Sequence, residues 1–402
     1  MEALAVILLC FIIAYILGEL CKLVRIPRVV GQIMAGMILS FGPVRAFLTP
    51  EGVGVVKFLA DVGIVLLFFF VGLEISVREF RRNLKQSASI SLFNTSIPFI
   101  IGFLASHFAF DLGITTSLII GVCLSVSAQA ISIDLLDELG MIRTKLGNLI
   151  VDAGAVDDIF ELILISIIVT VINTSAGGMH LSGLFIDTLT FIAMLVLFRL
   201  FIIPFILKVV ERDHSATSLF AGSLIITLLM AVLTDMLQFG ALVGAMFAGV
   251  LVRQILLTGK EQKPWEQHEI AKTMHVISFG FLVPMFFVWI GLTTDLSSVI
   301  AHPWFAVVAT IIAFGGTIFG SFIAVLLNGG TAREAYIVGW GLNPKGDVEL
   351  VIASIALQNS LITKDIFSSL IVMAMATTLI SPIVFRYLIR KEAGLLHKEK
   401  MM

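Results

Sequence analysis

Long apolar runs separated by short polar breaks dominate this chain. Crossing the hydrocarbon core of a bilayer takes about 20 apolar residues of helix. Breaks at charged residues, Gly and Pro divide the sequence into thirteen runs of roughly that length. The predicted spans are 4–24, 28–48, 56–76, 87–108, 116–138, 145–172, 184–209, 217–237, 239–258, 273–293, 303–327, 333–358 and 366–388. The pattern predicts an all-α polytopic membrane protein, built as one membrane domain over residues 1–402.

Composition agrees with this class of protein. Of the 402 residues, 58% are hydrophobic and 13% are charged, which excludes an ordinary soluble domain of this size. The net charge of −2 and the lack of a long basic stretch argue against a nucleic-acid partner. We therefore expect the lipid bilayer to be the main surroundings of the chain.

The basic residues predict an orientation. When each connection is numbered by the span before it, 21 of the 26 Lys and Arg residues fall in odd-numbered connections and the C-terminal tail. The even-numbered connections hold Arg45, Lys57 and Lys364, and Arg199 and Lys345 fall inside spans. Because cytoplasmic loops are enriched in Lys and Arg, we expect the N-terminus outside and the C-terminus in the cytoplasm, in a prokaryotic inner (plasma) membrane.

Three short segments recur at offsets of 213 to 219 residues. The pairs are VVGQIMAGMIL (29–39) with LVGAMFAGVLV (242–252), LLFFFVGLEI (66–75) with PMFFVWIGLTTDL (284–296), and GVCLSVSA (121–128) with GWGLNPKG (339–346). The shift corresponds to seven spans, an odd number, so the second copy would be inverted in the membrane. Inverted-topology repeats are typical of secondary transporters, which bind their substrates near the midplane.

Two of the matched spans look discontinuous. Pro344 interrupts the run GLNPKGDVEL (341–350), because proline removes a helix hydrogen bond and clashes with the preceding turn. Unwound backbone inside a membrane is tolerated where it lines a cavity. The polar and charged residues of the two segments are Ser125, Ser127 and Gln129 in the first and Lys345, Asp347 and Glu349 in the second.

Acidic residues gather in one span, in the stretch VDAGAVDDIFEL (151–162). A carboxylate at the centre of a membrane helix costs about 2.5–3.5 kcal/mol, so such groups usually mark an ion or proton pathway. Asp158 lies roughly 20 Å along its span, near mid-membrane. Asp157 points about 100° away from it, and Asp152 lies nearer the cytoplasmic mouth, where it would raise the local cation concentration. Protons and a cation competing for the same carboxylate provide a mechanism of exchange.

These residues resemble a known family. GAVDDIFEL is similar to the paired-aspartate motif of the monovalent cation:proton antiporter superfamily, and NPKGDVELVIA is similar to its broken helix. The resemblance extends over essentially the whole chain, and its closest branch is the NapA/Kef-like group. It implies an NhaA/NapA-like fold with two crossing discontinuous helices, a homodimer, and an elevator-like exchange of Na⁺ or K⁺ for H⁺.

The resemblance also implies roles for residues and segments. Asp158 matches the cation- and proton-binding carboxylate, and Asp157 matches the preceding acid of electrogenic members, with Ser125, Ser127 and Gln129 beside them. Lys345, Asp347 and Glu349 would be supporting charges on the second crossing helix. The implied division is dimerisation or scaffold helices in 4–86 and 217–293, an ion-translocating core in 87–172 and 303–388, a linker helix in 184–209 and a short cytoplasmic tail in 389–402.

One position departs from the family pattern. Electrogenic members carry a lysine in a G-K-x-x-G context that pairs with the first aspartate, whereas Thr317 occupies that place in GGTIFGSF (315–322). Three alternatives then stand for Asp157: it is protonated, it pairs with Lys345, or it binds the cation jointly with Asp158. The chain ends 14 residues after its last predicted span. Control by a nucleotide-binding domain, as in Kef-like members, would thus require a separate cytoplasmic subunit.

The expected function is secondary active antiport of H⁺ against Na⁺, with K⁺ or Li⁺ as further substrates and no cofactor. Two alternative functions could use the same acidic residues near mid-membrane. One is a pH-gated cation channel or leak pathway, and the other is a Na⁺-coupled solute symporter on the same fold. The sequence contains no hydrolase triad, P-loop or metal-ligand spacing, so we do not expect an enzyme.

Overall fold

The structure is a computed structural model, and every regular element in the part of the chain that it describes is a helix. The described residues are 2–24, 26–45, 47–74, 84–128, 130–142, 144–175, 190–191, 193–210, 216–237, 240–256, 269–346 and 348–401. The helices of the first half are α1 (Glu2–Leu23), α2 (Arg28–Ser40), α3 (Gly42–Arg45), α4 (Pro50–Glu74), α5 (Leu84–Leu104), α6 (Ile114–Ser125), α7 (Ala130–Glu138) and α8 (Lys145–Ser175). Those of the second half are α9 (Ile203–Val210), α10 (Ala216–Met236), α11 (Ala241–Leu256), α12 (Glu269–Ile277), α13 (Val283–Thr293), α14 (Leu296–Ala301), α15 (Trp304–Leu327), α16 (Ala332–Gly341), α17 (Val348–Gln358) and α18 (Lys364–Met401).

Six helical stretches in the described ranges are long and apolar enough to cross a membrane. They are Ala3–Leu23, Pro50–Leu73, Lys85–Ala109, Lys272–Thr293, Trp304–Leu327 and Lys364–Glu392. The third and fourth contain π-helical turns, at Ala105–Ala109 and Ser278–Leu282. These spans confirm the prediction of an all-helical protein with several transmembrane helices.

Both predicted helix breaks are present. α6 ends at Ser125, Val126 turns to extended backbone, and α7 begins at Ala130. α16 ends at Gly341 and α17 begins only at Val348, with Pro344 in the unwound segment between them. The breaks predicted in 124–132 and 341–350 are therefore confirmed.

The chain forms two compact units. The first unit comprises Met1–Phe11, Ala46–Ser76 and Ile165–Trp289, and the second comprises Ile12–Arg45, Val77–Leu164 and Ile290–Met402. In the first unit α4 packs closely on α11, because a Cβ at Gly72 would come within 1.9 Å of the Met246 oxygen and a Cβ at Gly249 within 2.0 Å of the Phe69 oxygen.

The second unit contains the broken helices and the acidic stretch. Here α15 packs closely on α5, since a Cβ at Gly320 would come within 2.3 Å of the Phe93 oxygen. A buried apolar cluster that includes Leu136, Ile150, Val338 and Phe385 joins α7, α8, α16 and α18. This packing brings the polar residues of α5, α8 and α15 to the unwound segments.

Candidate ion-binding site

Asp157 lies at the centre of a buried hydrogen-bond network. Its side chain is fully buried on α8. Its carboxylate accepts four hydrogen bonds: to Oδ1 from Ser91 Oγ at 2.9 Å and Thr95 Oγ1 at 2.5 Å, and to Oδ2 from Asn94 Nδ2 at 3.0 Å and Ser127 Oγ at 2.7 Å. The three donors from α5 are spaced three and four residues apart, so they share one helix face. A buried carboxylate is stabilised only when its oxygens are satisfied in this way.

Asn94 extends this network to α15. Its amide nitrogen donates to Asp157, and its Oδ1 accepts a hydrogen bond from Ser321 Oγ at 3.2 Å. Because Oδ1 is engaged by Ser321, the NH₂ group is the end that faces the carboxylate. The network therefore links α5, α8, α15 and the unwound segment after α6.

The two unwound segments touch each other beside this network. The amide of Ala128 donates to the Pro344 oxygen at 2.6 Å, and Lys345 Nζ donates to the Val126 oxygen at 2.7 Å. A Cβ at Gly346 would lie 2.8 Å from the Ala128 Cβ, so glycine permits the close approach. The two unwound segments are therefore in direct contact, as the predicted crossing requires.

Lys345 places a positive charge at this crossing. Its side chain is fully buried, and it interacts electrostatically with Asp157. The Val126 oxygen that it binds lies at the buried C-terminal end of α6, where the helix carries partial negative charge. Val126 also precedes Ser127, which donates to Asp157. Lys345 therefore lies at the same crossing as the Asp157 network, and the three alternatives for Asp157 stay predictions.

Asp158 differs from its neighbour in burial. It remains partly exposed, as does Asp152 two turns earlier on α8. Adjacent residues of a helix point about 100° apart, so the pair cannot share one set of partners. Asp157 is enclosed by donors, whereas Asp158 keeps part of its surface accessible.

The remaining predicted site residues are Ser125, Glu349, Gln129 and Asp347. Ser125 is buried and its hydroxyl donates to the Val122 oxygen at 2.9 Å, within its own helix. Glu349 is 2% exposed in the first turn of α17. Gln129 and Asp347, which occupy the two breaks, lie outside the described residues.

Thr317 fills the position of the family lysine with a short side chain. It is fully buried on α15, one turn before Ser321, and its hydroxyl has no hydrogen-bond partner among the described residues. Next to it, a Cβ at Gly316 would lie 2.7 Å from the Pro98 Cβ. α15 therefore meets α5 through small residues at this level.

Sequence reasoning missed the partners of Asp157. Ser91, Asn94, Thr95 and Ser321 were read as parts of ordinary apolar spans. The available signal was the run SISLFNTS (89–96), in which polar residues recur at helical spacing inside a membrane helix.

Comparisons with known proteins identify the family. The family model for the transmembrane part of sodium/hydrogen exchangers matches residues 6–391. A Na⁺/H⁺ antiporter of Enterococcus hirae is 26% identical over 398 residues, covering 97% of this chain and 99% of the relative. The Na⁺/H⁺-K⁺ antiporter GerN of Bacillus cereus is 26% identical over 371 residues, covering 92% of each chain.

The fold matches a solved structure over nearly its full length. The sodium proton antiporter MjNhaP1 from Methanocaldococcus jannaschii superposes with a TM-score of 0.65 at 15% identity, covering 98% of both chains. That identity supports the fold alone, whereas the family model covers almost the whole sequence. The protein therefore belongs to the sodium/hydrogen exchanger family of membrane-embedded cation:proton antiporters.

Proposed function

We propose that the protein is a secondary active antiporter that exchanges H⁺ for Na⁺, with K⁺ and Li⁺ as further substrates. The observation that carries the proposal is the acidic pair beside the crossing of the two unwound segments, where Asp157 is saturated with donors and Asp158 stays accessible. The named activities of the Enterococcus hirae and Bacillus cereus relatives support the same ion classes.

Asp158 is the exchanging carboxylate in this proposal. It crosses the membrane either protonated or with a bound cation, because an empty charged site is costly to move through a low-dielectric barrier. Oxygen atoms of Ser125, Ser127 and Gln129 would complete the cation shell, since Na⁺ and K⁺ take oxygen ligands. Asp152 would raise the cation concentration at the cytoplasmic entrance.

Asp157 has a positioning role in the same proposal. Its two oxygens already accept four hydrogen bonds, so it holds Ser127 and the first unwound segment against α5 and α8. Lys345, Asp347 and Glu349 would balance charges and helix ends at the crossing. Because Thr317 is uncharged where the family pattern has a lysine, Lys345 would supply the positive charge that offsets the acidic residues of the crossing.

The architecture proposed for the whole protein follows the family. The protein would have thirteen transmembrane helices arranged as inverted repeats. A core (87–172 and 303–388) would move against scaffold helices (4–86 and 217–293) to give alternating access, and a linker helix (184–209) would connect the two. The protein would form a homodimer in a prokaryotic inner membrane with its N-terminus outside and its C-terminal tail (389–402) in the cytoplasm.

The test uses everted vesicles with a respiration-generated pH gradient that a fluorescent dye reports. Adding Na⁺, Li⁺ or K⁺ should dissipate the gradient through the wild-type protein. Asp158→Asn should abolish the response, whereas the matched control Asp152→Asn, on the same helix and also partly exposed, should retain it.

Folded protein that responds to none of the three cations would refute the antiport proposal. A cation channel would instead conduct with no proton gradient and keep part of its conductance in Asp158→Asn. A symporter would respond to cation only when its solute is present.

A further inference from the structure

Two charged residues of α4 lie at the depth of the hydrocarbon core. The helix runs from Pro50 to Glu74, so Lys57 falls inside it and not, as the sequence suggested, in the connection before it. With Glu74 at the cytoplasmic end, Asp61 lies about 20 Å and Lys57 about 25 Å along the helix axis. Both distances fall within a core about 30 Å thick.

Both residues lie on a face of α4 that points away from the rest of the first unit. The opposite face is packed: a Cβ at Gly63 would come within 2.4 Å of the Leu282 oxygen. Gly54, Lys57 and Asp61 are exposed, and a Cβ at Gly54 would meet nothing within 4 Å in the described part of the chain. Their spacing of three and four residues places them in one stripe.

Lipid is a poor match for this stripe. Lysine can extend its ammonium group to the membrane surface, but an aspartate side chain is too short to do so from about 10 Å below it. Electrostatic attraction between Asp61 and Lys57, one turn apart, offsets only part of the cost of removing two charges from water. A second protein surface would have to supply partners for both charges, whereas water solvates them directly.

We propose that the stripe of α4 with Lys57 and Asp61 borders a water-filled route to the outer side of the membrane. The Asp61 carboxylate attracts hydrated monovalent cations there, and Lys57, nearer the outer end, limits that attraction. The route rests on the proposed exchange, which needs water access from both sides. The solvation of the stripe rests on the exposure of Lys57 and Asp61 and on the proposed membrane topology, and does not require exchange.

The first experiment tests solvation without requiring transport. In a variant whose three native cysteines are replaced by alanine, Asp61→Cys is treated with a membrane-impermeant charged thiol reagent from either side. Ile311→Cys is the matched control, because Ile311 is 63% exposed about 10 Å along α15 from Trp304 and is surrounded by apolar side chains. Only a thiol in contact with water ionises and reacts.

We expect Asp61→Cys to react with reagent added from the outer side and Ile311→Cys not to react. If Asp61→Cys does not fold, Lys57→Cys gives the same test from the same stripe. Reaction no faster than that of Ile311→Cys, or reaction only from the cytoplasmic side, would overturn the proposal.

The second experiment tests the electrostatic role. At low ionic strength Asp61→Asn should raise the KM for cation supplied from the outer side about twofold, and Lys57→Gln should lower it by a similar factor, with kcat unchanged in both. Both shifts should shrink at high salt because screening weakens them. Shifts in the same direction, or a loss of kcat alone, would contradict the role. If the wild-type protein shows no exchange at all, the proposed function is refuted. The thiol-labelling result would then still show whether the stripe of α4 is in contact with water.

Discussion

Replacing Asp157 tests whether it positions the site or carries the ion. Asp157→Ala removes the acceptor of four buried donors and leaves Lys345 without its nearby negative charge. Asp157→Asn keeps the shape and removes only the charge. Its amide oxygen can accept from Asn94 and Ser127, while its NH₂ group donates to two hydroxyls that turn to accept.

The magnitudes follow from these partners. In Asp157→Ala the hydroxyl donors can turn to carbonyls of their own helices, but the Asn94 amide cannot turn, because Ser321 holds its oxygen. Both variants lose the same negative charge near Lys345, so the difference between them comes from the hydrogen bonds. Asp157→Ala should be less stable than Asp157→Asn by about 1–3 kcal/mol, because the asparagine keeps an acceptor for the Asn94 amide and the alanine does not.

The assay pairs thermal unfolding of purified protein with exchange in vesicles. Asp157→Ala should unfold at a clearly lower temperature than Asp157→Asn, and Asp157→Asn should retain exchange. Charge movement on a solid-supported membrane that persists in Asp157→Asn would also show that Asp157 does not make the cycle electrogenic. Asp157→Asn protein that is as stable as wild type but inactive would refute the positioning role, as would full stability of Asp157→Ala.

Four further substitutions test the packing and capping described above. Thr317→Val removes a buried hydroxyl that has no partner among the described residues, so the melting temperature should stay the same or rise, and a fall would contradict the geometry. Gly249→Ala places a Cβ 2.0 Å from a backbone oxygen of α4 and should cost about 1–3 kcal/mol, whereas Gly54→Ala, in open space, should gain about 0.5–1 kcal/mol; equal thermal shifts would refute the close packing. Asp295 caps α14, and hydrogen bonds led by that from the Ser297 hydroxyl hold the pKa of its carboxyl below the usual value. Its contribution is complete above the unfolded pKa of about 3.9 and is lost as the pH falls through the folded value. Asp295→Ala should therefore cost about 0.5–2 kcal/mol at pH 7 and converge with wild type in acid; a constant deficit would exclude the ionised cap.

The helix breaks could be predicted because their cause is local. Proline removes a helix hydrogen bond and clashes with the preceding turn, and Pro344 lies between Gly341 and Gly346, which weaken the helix further. Pro98, without flanking glycines, is kept inside α5. The first break has no proline, and only the repeat pointed to it. Asp157 and Asp158 could likewise be identified as candidates from the sequence, because a carboxylate inside an apolar span indicates a functional site whatever the orientation of its side chain.

Partners across helices could not be predicted. The serines, Asn94 and Thr95 of α5 resemble residues bonded to their own backbone, and only the tertiary packing turns them toward Asp157. The predicted span 56–76 begins six residues after the first residue of α4, which runs from Pro50 to Glu74. Pro50 is in fact the first residue of the helix, where proline is favoured because its missing N–H is not needed.

The charges of the crossing predict the stoichiometry of exchange. Asp157 and Lys345 are both fully buried and of opposite sign, so together they add no net charge to the moving site. Thr317 adds none either, and if the supporting acids Asp347 and Glu349 keep one protonation state throughout the proposed cycle, Asp158 is the group whose state changes. Because protonated and Na⁺-bound Asp158 are both neutral, we expect one-for-one exchange that is independent of voltage. One net charge per cycle would shift the equilibrium cation gradient roughly fiftyfold per 100 mV, since each charge is worth about 2.3 kcal/mol over that potential. Vesicles clamped at two potentials 100 mV apart should therefore reach the same Na⁺ gradient for a given pH gradient, and a shift approaching fiftyfold would show that Asp157 or Lys345 also changes its protonation.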